Sequence, residues 1–226
     1  MVLSPLHLTF LCAIAAMTIL LVRFAQRSEN TARRIRLGCG LLVLINELIW
    51  AGAAIWRGWI SFPDYLPLHL SNLIVVITVF AAFTLRPVLV EFAYYTGVAG
   101  GAVAVLTPDL EAIELSFDVI HFFLAHGGVL ITMLFLTTAG LARPRAGSVW
   151  RAFGALNAYA ALIALFNAAF GTNYMYLREK PDVPTLLDFF GPWPVYILVA
   201  EVFALAVFGF LYLPFSRICM RKTTSM

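Results

Sequence analysis

The sequence predicts an all-α fold: a polytopic integral membrane bundle of seven transmembrane helices, forming a single transmembrane domain over residues 1–226. Three observations predict it. Hydrophobic residues make up 62% of the chain and charged residues only 12%, about half the share found in a soluble domain. The mean hydropathy is +0.91. Apolar runs of spanning length recur at 6–24, 36–56, 66–85, 88–107, 119–141, 149–171 and 192–214, parted by short polar or Pro/Gly breaks.

The first run has no basic residue before it and no clear small-residue cleavage site, and Arg23 and Arg27 follow it, so it reads as a retained helix. The second, Arg36 to Trp56, carries Asn46 and Glu47 and ends among Trp50, Trp56 and Trp59, aromatics that suit a bilayer boundary. For the third, Asp64 and Pro67 predict an N-cap followed by a first-turn proline. Leu85-Arg86-Pro87 then makes a tight hairpin into the fourth, where Gly97, Gly100 and Gly101 allow close helix contact. An acidic loop with Asp109, Glu111, Glu114 and Asp118 leads to the fifth helix and its His121, His126, Gly127 and Gly128. The sixth, approached through Arg143, Arg145 and Arg151, holds Asn157 and Asn167. Beyond it come Asn173-Tyr174 and a polar loop with Pro181 and Pro184, and Gly191-Pro192-Trp193-Pro194 opens the seventh helix, which contains Glu201. Cys12, Cys39 and Cys219 are scattered without disulfide or metal spacing and read as packing residues.

The formal net charge of +3 sits in short basic clusters beside apolar runs, as topology signals do, so nucleic acid is not an expected partner. Arg23, Arg27, Arg33, Arg34 and Arg36 follow helix one, Arg86 follows helix three, Arg143, Arg145 and Arg151 follow helix five, and Arg217, Arg221 and Lys222 end the chain. These alternate to one side. The positive-inside rule then predicts a multi-pass protein of the cell membrane, its N-terminus outside and its C-terminus cytoplasmic.

That topology assigns a depth to each polar group. His69, Ser71, Asn72, Asp118, His121, His126, Asn167 and Asn173 fall toward the outer leaflet. Asn46, Glu47 and Glu201 fall at middle depth, where a bare charge costs roughly 2.5–3.5 kcal/mol on insertion scales. The inner halves hold little beyond Glu91, Tyr94 and Tyr95. A polar cavity open to the outside, bounded by helices two, three, five, six and seven, is the expected result.

The residue types in that stratum suit acyl transfer. On an ideal helix His69 and Asn72 share a face while Ser71 lies about 200° from His69, so the base for Ser71 comes from helix five, as His121 or His126. Asp118, three residues before His121, is placed to orient that imidazole. Asn72, with Asn167 or Asn173, is a candidate to polarise an ester carbonyl. Each residue also has a plainer reading. A membrane serine often bonds back to its own helix, histidines bridge helices, and Asn173-Tyr174 suits a cap that orders a loop. Glu47 and Glu201 fit proton carriers, ligands or merely paired charges. Three histidines with Glu47 are potential metal ligands, but no HxxxH or HExxH spacing supports a metal, and no cofactor is expected.

Several stretches together resemble a known family. Leu66-Pro67-Leu68-His69-Leu70-Ser71-Asn72, Gly97 to Gly101 with Pro108, His121 to His126, Asn173-Tyr174-Met175-Tyr176-Leu177 with Pro181, and Gly191-Pro192-Trp193-Pro194-Val195-Tyr196 look like the pattern of the YwaF-type bacterial integral membrane proteins, over about residues 40–215. That family is similar to the animal transmembrane protein 164 family, proposed to be phospholipid acyltransferases that work through a Cys nucleophile and a His. The resemblance implies an acyl-enzyme mechanism on a phospholipid or lysophospholipid reached from the bilayer. This chain departs from the pattern at Ser71, where the family commonly has Cys. A serine performs the same ester chemistry but needs a stronger base, because its hydroxyl pKa lies far above that of a thiol.

The expected function is therefore membrane-embedded transfer or hydrolysis of a lipid acyl group, with membrane lipids as substrate. Tyr174, Glu47 and Glu201 join Asn72, Asn167 and Asn173 as candidates to bind the substrate, and the competing expectation is a transporter or receptor for a small polar ligand or ion, using His69, Glu47 and Glu201. A retinal protein is excluded, since Lys180 and Lys222 both lie outside the apolar runs.

Overall fold

The computed structural model describes residues 4–108, 110, 114–182 and 185–223, with side chains described up to 216. Asp109, Glu111 and Pro184, and the side chains of Arg217, Cys219, Arg221 and Lys222, lie outside the described residues. The chain forms α1 (Pro5–Ala25), α2 (Glu29–Trp56), α3 (Leu70–Thr84), α4 (Pro87–Leu106), α5 (Phe117–Thr138), α6 (Ser148–Phe170) and α7 (Val195–Thr223), with short 3₁₀ turns at Tyr174–Tyr176 and Leu186–Phe190. Six of these helices are long and apolar enough to cross a membrane.

The helix starts follow local capping chemistry more closely than hydropathy. Ser4, Ser28 and Ser116 each accept the amide three residues on, at 3.2, 3.1 and 3.3 Å, satisfying one of the donors that a helix start leaves free. The Ser28 cap starts α2 seven residues before the predicted 36, which corrects the expected basic connection. Arg33, Arg34 and Arg36 stand on the helix itself. Arg36 reaches across to the last turn of α3, its guanidinium donating to the Ala82 and Phe83 carbonyls at 2.7 and 3.1 Å. At the other end of the chain α7 runs through Pro214 to Thr223, beyond the predicted 214. The predicted end of the fifth helix at 141 is also corrected: Gly140, at φ 74, stops α5 at Thr138.

The third helix needs the largest correction. Neither Asp64 nor Pro67 begins it; the N-cap is His69, in an extended conformation at φ −67 and ψ 151, and the helix has 15 residues. That is about 22 Å of rise, short of a hydrocarbon core of about 30 Å. His69 and Asn72 therefore do not share a helical face. Residues 63–68 are held instead by side chains from elsewhere. The Tyr174 hydroxyl donates to the Pro63 carbonyl at 2.7 Å and accepts the Leu66 amide at 2.6 Å, and the Tyr159 hydroxyl donates to the Leu68 carbonyl at 2.9 Å. Such bonds are what irregular backbone requires where water is scarce.

Helices α4 and α5 form the centre, and every other long helix packs against one or both. Small residues set the spacing. A Cβ at Gly97 would sit 2.7 Å from Val129 Cγ1 and 3.3 Å from Ile74 Cγ2, so α3 and α5 close on α4 at distances that only glycine permits. At the end of α4 remote from Ser71, Glu91 is 1% exposed and fully engaged. Arg145 and Arg151 each grip both of its oxygens at 2.7–3.3 Å, and the Arg145 amide adds a further bond at 3.2 Å. Beside it Tyr95 and Ser148 hydroxyls share a buried 2.7 Å bond.

Candidate functional site

Ser71 is the second residue of α3, at an N-terminus that no side chain caps. The first amides of a helix carry its partial positive charge; those of Asn72 and Leu73 bond the His69 carbonyl, and among the described residues those of Leu70 and Ser71 have no partner. Ser71 borders two cavities at once. One, of about 650 Å³, is lined by polar and aromatic groups including Trp50, Asp64, His69, Asn72 and Tyr174. The other, of about 660 Å³, is almost wholly apolar, runs between α3, α4 and α7, and has His126 in its wall. Among the described residues neither the Ser71 hydroxyl nor the Asn72 side chain makes a hydrogen bond.

The partners of the three site histidines set their tautomers, and His126 differs from the other two. His126 Nδ1 lies 3.0 Å from the Phe122 carbonyl, which only accepts, so this nitrogen carries the proton and Nε2 keeps its lone pair. His121 Nδ1 instead accepts from the Asn46 amide at 3.1 Å, and its ring stacks on Trp50 with centroids 5.4 Å apart. His69 Nδ1 accepts from the Met175 amide at 3.4 Å, its ring edge-on to Tyr174 at 5.2 Å. Of the three, only His126 borders the same apolar cavity as Ser71.

The remaining predicted residues divide into those near Ser71 and those committed elsewhere. Asn72, His69 and Tyr174 border the polar cavity. Asn167 is fully buried and spent on the chain that follows α6: its Nδ2 donates to the Tyr174 carbonyl, while its Oδ1 accepts from Tyr174 N–H and the Thr172 hydroxyl, all at 2.8–2.9 Å. Asn173 bonds the Arg178 and Glu179 amides and the Glu179 carbonyl. Both asparagines shape the turn and border neither cavity, whereas Asn72 borders the first. Asp118 is exposed and makes no hydrogen bond to His121, whose partner is Asn46. Glu201 accepts from Asn157 at 2.8 Å; neither it nor Glu47 borders either cavity. Among the described residues no group of three or more His, Cys, Asp or Glu is arranged to hold a metal.

Sequence reasoning missed Tyr159, which positions the approach to α3, and Asn46 as the partner of His121. An amide four turns into an apolar helix was the available signal for the second; nothing in the sequence marked the first.

The turn Tyr174–Tyr176 is strained, with Met175 at φ 58 and Tyr176 at φ 54, a region that side-chain-bearing residues seldom enter. The Tyr196 hydroxyl donates to the Tyr176 carbonyl and Trp193 Nε1 donates to the Leu177 carbonyl at 3.1 Å, so the start of α7 clamps this turn against His69. The segments 66–72, 173–177 and 191–196 are thus joined by hydrogen bonds, while 97–101 and 121–126 bring Val98 to Gly101 and His126 to the apolar cavity that Ser71 borders. No curated protein and no solved structure matches the chain. The TMEM164 family matches it over residues 2–212, which takes in every one of those segments, and the chain belongs to that family.

Proposed function

We propose that this protein transfers, or hydrolyses, the acyl group of a membrane phospholipid, with Ser71 as nucleophile and His126 as base. The observation that carries the reading is the position of Ser71 on the boundary between a polar and an apolar cavity, with the lone pair of a correctly tautomerised histidine in the wall of the second. A phospholipid ester divides the same way: headgroup and glycerol on one side of the carbonyl, hydrocarbon on the other.

In this mechanism Ser71 Oγ attacks the ester carbonyl as its proton passes to His126 Nε2. The oxyanion is stabilised by the uncapped α3 amides and by Asn72. Collapse of the tetrahedral species breaks the bond to the glycerol oxygen, which leaves as a lysophospholipid carrying the proton from His126. A second lysophospholipid hydroxyl, or water, then attacks the acyl-serine and gives its proton to His126, which returns it to Ser71 Oγ as the acyl–serine bond breaks. His121, bonded to Asn46 behind Trp50, and His69, turned to Met175, act as positioning residues.

The same reading completes the topology. The 63–69 segment and α3 together form the remaining crossing, their irregular backbone tolerated because tyrosine hydroxyls satisfy it. Seven crossings put the N-terminus outside and the C-terminus in the cytoplasm of the cell membrane, with the Ser71 cavities toward the outer leaflet.

The test is acyl exchange between a phospholipid and a lysophospholipid in reconstituted vesicles, followed by mass spectrometry. Exchange lost in Ser71→Ala and in His126→Ala, and kept in Ser71→Cys, supports the assignment. Full exchange in Ser71→Ala overturns it.

A further inference from the structure

We infer that the apolar cavity is a length gauge for the transferred acyl chain, with Gly100 as its open wall and Phe208 as its floor. This rests on the acyl-transfer reading, because the ester bond at Ser71 is what directs a chain into this cavity. Along α4 the lining runs from Ala104 to Thr96, a depth of about 12 Å at helical rise. Near the Thr96 end lies Phe208, 2% exposed and stacked on Tyr95 with ring centroids 5.2 Å apart. Tyr95 is itself fully buried and bonded to Ser148, so Phe208 is backed by a fixed side chain on the face turned away from the cavity.

Gly100 differs from the glycines beside it. Cβ atoms at Gly97 and Gly101 would press on Val129 and on the His126 carbonyl, whereas one at Gly100 meets nothing within 4 Å. Helix packing does not require glycine at 100; the space where its side chain would stand belongs to the cavity. Lipid hydrocarbon is as apolar as this lining, so moving a chain from bilayer to cavity gains little by desolvation. Selection must then come from shape, since carbons that reach a fixed floor displace packed side chains.

The experiment reads binding separately from turnover. Purified protein is equilibrated with vesicles of phosphatidylcholines of graded acyl length, and the retained lipid is profiled by mass spectrometry alongside acyl exchange. Gly100→Leu is expected to lower retention of the longest chains about tenfold relative to the shortest, the scale on which an apolar pocket separates substrates by size. Phe208→Ala is expected to move the profile toward longer chains, and Ser71→Ala to abolish exchange with the profile unchanged. A Gly100→Leu profile equal to wild type, a uniform loss at all lengths, or no lipid retained by wild type overturns the gauge. If the profile shifts but even wild type exchanges nothing, the gauge stands and acyl transfer falls; exchange with an unshifted profile removes the gauge alone.

Discussion

A proton assignment decides which histidine acts. The Phe122 carbonyl fixes a proton on His126 Nδ1 and leaves Nε2 free to accept one, while Asn46 makes the opposite assignment for His121. His126→Ala is therefore expected to lower acyl exchange by about 10²–10⁴-fold, the usual worth of a general base, with His121→Ala reducing it less. Measured pH profiles separate the two, because loss of a positioning residue keeps the titration of the base and loss of the base removes it. The candidate residues Ser71, His69 and His126 were legible in the sequence as polar groups out of place in apolar runs. The choice between His121 and His126 was not, because rotation of α5 depends on packing with α2 and α4. Asn167 misled for a related reason: an amide spent internally on a turn has the same sequence appearance as one offered to a ligand.

Helix three shows where hydropathy stops being a guide to an element. The apolar run 66–85 is real, yet its first four residues are not helical, since Pro67 brings no amide and the tyrosine hydroxyls of α6 and the 174–176 turn offer the backbone other partners. Tyr174→Phe is expected to cost about 1–3 kcal/mol by orphaning the Pro63 carbonyl and Leu66 amide, and to make residues 63–68 sensitive to protease. Close helix contacts were better signalled. Gly97 was expected to bring helices together, and Gly97→Leu should destabilise by about 1–3 kcal/mol through overpacking against Val129 and Ile74, measurable as a lowered Tm.

For the whole molecule, the seven apolar runs fixed the fold class because membrane-spanning backbone has few alternatives to helix. On the proposed sidedness, reporter fusions at 27, 58, 86 and 145 should alternate in accessibility, with 58 on the opposite side from the other three. The clamp on Glu91 bears on how such a bundle moves. Arg145 and Arg151 bind the end of α4 that lies beside the Arg36 contact with the last turn of α3, whereas around Ser71 the amides are uncapped and two cavities stand open. The bundle is thus stiff at one pole and compliant at the other, like a fork joined at its base. Amide hydrogen exchange should report slow opening along 87–95 and faster opening along 63–72, and on the proposed function the second of these is where a two-tailed lipid enters, away from where the arginines hold the bundle.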